Sequence, residues 1–119
     1  RNPIDWLDVS EAMLEPGKLG ALNGLYALRV QGDSMIDAHI CDGDLVIIEP
    51  ARSAENGQIV VARIDDEDTG GKKATVKRFY KERNQVRLQP ANERLDPMVL
   101  ARPDVEIEGR VVGVVRPRV

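Results

Sequence analysis

The run Val30-Gln31-Gly32-Asp33-Ser34-Met35 holds the residue types that attack a carbonyl carbon. A strand-forming stretch ends on a glycine, and a serine follows two residues later. A sharp turn of that kind can expose a hydroxyl where neighbouring backbone N–H groups converge, so that nucleophile and oxyanion donors sit together. Gly-Asp-Ser is also an ordinary turn sequence, and the motif alone leaves both readings open. The serine needs a base. His39, the only histidine, lies five residues on in a polar stretch. Serine–histidine enzymes generally unite residues distant in the chain, so a solvated loop position is its plainer reading. Of the five lysines, Lys18, Lys72, Lys73 and Lys81 fall in loops or at strand ends. Lys77 instead interrupts the strand-like run Ala74-Thr75-Val76-Lys77-Arg78-Phe79-Tyr80. Alternation places Thr75, Lys77 and Phe79 on one face of that strand. If this face turns inward, burial disfavours the ammonium and lowers its pKa from about 10.4. A neutral amine can then accept a serine proton. If the face turns outward, Lys77 is a solvated strand residue.

The elements that must position these groups read as short strands. From residue 26 onward, strands are expected over 26–30, 45–48, 58–64, 74–81, 86–89 and 105–115, rich in β-branched residues and separated by turn signals. Asp42-Gly43-Asp44 and Asn56-Gly57 are two of those signals, and residues 65–73 form an exposed hairpin tip. Pro90 and Pro97 mark a connection. Residues 1–25 read as an irregular lead-in with at most one helical turn, at Ser10-Glu11-Ala12-Met13-Leu14. No helical pattern exceeds about two turns. The expected fold is mainly β: one compact domain over 1–119, built of short antiparallel strands in packed sheets or a partly closed barrel.

The 119 residues suit a single core, and the formal charge of −3 argues against a domain that grips duplex DNA by its own basic surface. The longest apolar runs, such as 45–48 and 59–62, are only four residues long. A bilayer crossing needs about 20, so no membrane partner is expected. Cys41 is the only cysteine, which excludes an internal disulfide and a cysteine-built zinc site, and a cytoplasmic location is the simplest expectation. Cys41 is expected to pack as a small apolar residue, and Trp6 and Phe79 as core or edge contacts. Asp42 and Asp44 form a D-x-D fragment without the rest of a ligand loop, so a turn is expected there and no metal or cofactor.

Taken in order, Gly32-Asp33-Ser34-Met35, Asp42-Gly43-Asp44, Asn56-Gly57-Gln58-Ile59-Val60-Val61-Ala62 and Ala74-Thr75-Val76-Lys77-Arg78 closely resemble the protease domain of LexA-type repressors. Glu108-Gly109 with Val111-Val112-Gly113-Val114-Val115-Arg116 resembles that family's last strand, so the likeness spans about 26–116. The resemblance implies that Ser34 attacks a peptide bond of its own chain and that Lys77 is its buried general base. It implies that backbone N–H groups of Ser34 and Asp33 form the oxyanion hole and that Thr75 hydrogen-bonds the amine. Met35 matches the methionine after the nucleophile, with core packing as its plainer role.

The family's scissile Ala-Gly or Cys-Gly dipeptide does not occur here, nor does its N-terminal winged helix-turn-helix. A fragment that starts downstream of the scissile bond is therefore expected. The resemblance further implies a bacterial SOS-response repressor that forms a homodimer through 105–115, read as an unpaired apolar strand. It implies stimulation by a RecA filament on single-stranded DNA, and operator binding only through the missing domain. Phage repressors and UmuD-type mutagenesis proteins share the dyad and stand as alternatives, as does a dimerisation module that no longer cleaves. A type I signal peptidase would need a membrane anchor.

Overall fold

The computed structural model describes residues 24–117. The lead-in, its helical turn and Trp6 therefore lie outside the described residues, apart from the last two positions of 1–25. Seven strands follow: β1 (Tyr26–Arg29), β2 (Leu45–Pro50), β3 (Ile59–Asp65), β4 (Lys72–Glu82), β5 (Gln85–Gln89), β6 (Met98–Ala101) and β7 (Glu106–Val115). They form one antiparallel sheet in the order β1-β2-β7-β3-β4-β5-β6. The mainly β reading holds, as a single sheet that stays open rather than closing on itself. Among the described residues no helix is long and apolar enough to cross a membrane.

Local chemistry explains most boundaries. Asn56-Gly57 starts β3, with Gly57 at φ +90° where a side chain would be strained. The acidic-to-basic stretch after β3 is the hairpin tip expected, with Asp65 opposite Lys72 and the turn closed by Asp66 and Gly71. Two residues, 83 and 84, join β4 to β5, where Glu82 faces Gln85. Strand β6 was expected only as connection. Its four residues pair with β5 after Pro97, and so short a strand carries little periodic signal of its own.

The largest departure concerns β7. Residues 105–115 were expected to stand unpaired, yet the strand lies in the sheet interior. Residues 106–107 pair with β3 alone, and the strand is paired on both sides at Gly109, opposite Val61 of β3 and Pro50 of β2, and at Arg110. A Cβ at Gly109 would come within 2.7 Å of the Glu49 carbonyl oxygen, so this close approach requires glycine. Beyond Arg110 the pairing with β3 ends, and among the described residues, 111–115 pair only with β2. Among the described residues the β3-side flank of β7 is therefore open over 111–115.

Strand alternation sends adjacent side chains to opposite faces, and β3 feeds two clusters as a result. Val61 packs with Val30, Met35, Ile40, Val46 and Ile48. Val60 packs with Ala62, Ile64, Phe79, Val86 and Leu88. Each such side chain contributes about 1.5–3 kcal/mol when fully buried. The candidate site has a neighbour in each: Ser34 precedes Met35 of the first cluster, and Lys77 lies opposite Val60 of the second.

Candidate active site

The serine is held by a closed loop. Backbone bonds Val30 N–H to Asp44 O (2.8 Å) and Gly43 N–H to Val30 O (2.9 Å) join its two ends. Gly32 turns the chain at φ +87°, and its N–H donates to Asp42 Oδ1 at 2.7 Å. A single tight helical turn, Ile36–Ala38, follows. Between them Met35 is sunk in the first cluster at 1% exposure, and its Sδ accepts the Ala91 N–H. Burying Met35 fixes the backbone next to Ser34 and leaves the serine itself half-buried.

The lysine comes from the centre of β4, opposite Val60. The burial pattern settles which face turns in: Lys77 and Phe79 are buried and Thr75 half-buried. Lys77 Nζ lies 2.6 Å from Thr75 Oγ1 and 3.2 Å from Ser34 Oγ. No carboxylate pairs with it among the described residues. Burial first, and then repulsion by the Lys73 ammonium, hold the amine below its ordinary value of 10.5. An unpaired buried ammonium is costly, and the neutral amine is a base. The arrangement can draw the proton from the serine hydroxyl and make an alkoxide.

Among the described residues the N–H groups of Asp33, Ser34 and Met35 donate to no acceptor. They remain available at the turn where a developing oxyanion would be held. Ser34, Lys77, Thr75, Asp33 and Met35 are thus brought together. His39 is not: it ends the tight turn, exposed, at φ +63°, and makes no side-chain hydrogen bond with Ser34.

Sequence reasoning treated Asp42 and Asp44 only as turn residues. Asp42 in fact holds Gly32. Asp44, at 1% exposure, accepts from Arg116 Nε (2.8 Å) and Nη2 (3.0 Å) and from the Cys41 N–H. The Arg116 hydrogen bonds hold the Asp44 carboxyl below the usual carboxylate range. That pair ties the end of β7 to the end of the serine loop. Asn92 also went unnoticed; its Nδ2 donates to Asp33 O at 3.0 Å, and its neighbour Ala91 accepts the Asp37 N–H. A lone asparagine in a proline-flanked connection offers no spacing signal. An acid D-x-D fragment answering an arginine 72 positions away offers none either.

Comparison with known proteins assigns the chain to a family. The family model described as Peptidase S24-like matches residues 3–112. A LexA repressor of Herpetosiphon aurantiacus is 47% identical over 97% of this chain and 50% of its own length. LexA repressor 1 of Geobacter sulfurreducens is 52% identical over 79% of this chain and 45% of its own length. A LexA repressor of Roseiflexus sp. is 44% identical over 95% and 49%. The chain spans about half the length of the curated relatives it matches. With a family match over nearly its whole length and relatives of 44–52% identity, this chain belongs to the Peptidase S24-like family, as a domain of LexA-repressor type.

Proposed function

We propose that this domain is the self-cleaving and dimerising part of an SOS-response transcriptional repressor of the bacterial cytoplasm, with Ser34 as nucleophile and Lys77 as general base. The observation that carries the reading is the 3.2 Å approach of Ser34 Oγ to a buried amine that has no carboxylate partner among the described residues. Neutral Lys77 takes the Ser34 proton as Oγ bonds to the carbonyl carbon of the scissile peptide. The N–H groups of Ser34 and Asp33 hold the resulting oxyanion. The protonated amine returns its proton to the leaving nitrogen as the C–N bond breaks, and water, deprotonated by Lys77, then hydrolyses the acyl-enzyme. Thr75, at 2.6 Å, keeps the amine aimed at Oγ.

The substrate implied by the resemblance is an Ala-Gly bond upstream of the serine, on the same polypeptide. Its cutting would part a DNA-binding segment from this domain, stimulated by a RecA filament on single-stranded DNA. Repression would then fail because two linked operator contacts lose their shared effective concentration. The open flank of β7 over 111–115 supports dimer formation, since unpaired strand edges seek a partner.

The test supplies the chain with an N-terminal segment containing an Ala-Gly bond and measures cleavage at neutral and alkaline pH beside Ser34→Ala and Lys77→Ala. Cleavage that rises with pH and vanishes in both variants supports the dyad. A wild-type chain that cuts at neither pH refutes it and leaves a dimerisation module.

A further inference from the structure

The loop between β5 and β6 crosses the serine loop and bonds to it at three points. Ala91 O accepts the Asp37 N–H, the Ala91 N–H reaches Met35 Sδ, and Asn92 Nδ2 donates to Asp33 O. The third is the informative one. In a trans peptide the C=O of one residue and the N–H of the next lie in one plane and point in opposite directions. Anchoring the Asp33 carbonyl therefore aims the Ser34 N–H. Among the described residues two donors anchor it, Asn92 Nδ2 at 3.0 Å and the Ile36 N–H at 3.2 Å. The Ile36 bond belongs to the same tight turn and moves with it. Among the described residues, only Asn92 ties the peptide to a different part of the fold.

We propose that Asn92 is a positioning residue for the cleavage reaction: by holding the Asp33 carbonyl it orients the Ser34 N–H toward the developing oxyanion. The inference rests on the serine–lysine reading. Asn92 touches neither the substrate nor Lys77; it sets the direction of one donor before the reaction begins, as preorganisation requires. Its Oδ1 has a separate task, accepting the Arg94 N–H at 2.9 Å and so shaping its own turn. The two halves of the amide can therefore be separated by substitution. Asn92→Asp keeps the acceptor for Arg94 and replaces the donor with an oxygen that repels the Asp33 carbonyl. Asn92→Ala removes both.

The experiment follows cleavage of a supplied Ala-Gly segment across pH for wild type, Asn92→Ala and Asn92→Asp, with thermal melts of each. Both variants are expected to lose roughly tenfold in the alkaline plateau rate, less than the 10²–10³ lost with a whole oxyanion donor, because Ile36 still holds the carbonyl. The pH midpoint of Asn92→Ala should stay at the wild-type value, since the base is untouched. Independently of turnover, the Ser34 amide resonance should shift or broaden in both variants while that of Val60 does not. Wild-type activity in Asn92→Asp would reduce Asn92 to a turn residue and overturn the proposal. So would an unaltered Ser34 amide, or a moved midpoint with an unchanged plateau in Asn92→Ala. A wild-type chain inert at every pH would instead sink the serine–lysine reading, and this inference with it. If Asn92→Ala does not fold, Asn92→Asp with its turn intact decides the matter.

Discussion

Lys77 permits one quantity to be measured twice. It is 7% exposed, without a carboxylate partner among the described residues, and its amine is held below 10.5 by burial and then by Lys73. Cleavage should therefore follow the neutral fraction of this amine, with a kinetic midpoint below 10.5. The same depression must appear in stability. Between that midpoint and 10.5 the unfolded chain carries a proton on Lys77 that the native state lacks, so native stability rises with pH across this window. The contribution of the neutral amine is complete above 10.5 and is lost as pH falls through the lower native value. Lys77→Met keeps an unbranched side chain of similar size and removes the titration. The wild-type minus variant difference in unfolding free energy should climb by about 1.36 kcal/mol for each pH unit separating the kinetic midpoint from 10.5. At neutral pH the variant should be the more stable, by that amount less about 1 kcal/mol for the lost Thr75 hydrogen bond. Urea melts of both proteins from roughly pH 6 to 11 test this, because other titrations cancel in the difference. A difference flat in pH, or a slope that disagrees with the kinetic midpoint, would refute the account of Lys77 as a buried, depressed amine.

Thr75→Val should slow cleavage roughly 10- to 100-fold at the alkaline plateau by releasing the amine from its 2.6 Å partner, and Thr75→Ser should restore most of the rate in the same assay. Arg116→Ala leaves the buried Asp44 carboxylate without its guanidinium and should destabilise near pH 7, by less than the loss of a fully buried pair because Arg116 itself is largely exposed. Asp44 has a depressed pKa, so its stabilising share is present above 3.8 and lost as pH falls through the lower native value; paired urea melts should show the variant's deficit shrinking in acid. Gly109→Ala, with a methyl forced against the Glu49 carbonyl and Ile48, should destabilise by about 1–3 kcal/mol in thermal or urea unfolding. Sedimentation should find a dimer, and amide exchange at residues 111–115 should slow with rising protein concentration; a monomer at all concentrations would remove the β7 flank as an interface.

Much of this protein is local and was therefore legible. β-branched runs and turn glycines marked six of the seven strands, and Gly32 announced the turn that presents Ser34. The Thr75-x-Lys77 spacing placed hydroxyl and amine on one face of a strand. Period-two alternation says which residues share a face; it is silent on which face becomes covered. Tertiary structure decided that, by laying the serine loop against β4 so that Ser34 meets Lys77 across 43 positions of chain. It also carried β7 into the sheet interior, where half of an expected edge is sealed by β3, and it recruited Asn92 and Arg116 across 59 and 72 positions. Those last assignments had no sequence signal, because a single polar side chain acquires its role only from the distant backbone or carboxylate that folding brings within hydrogen-bond reach.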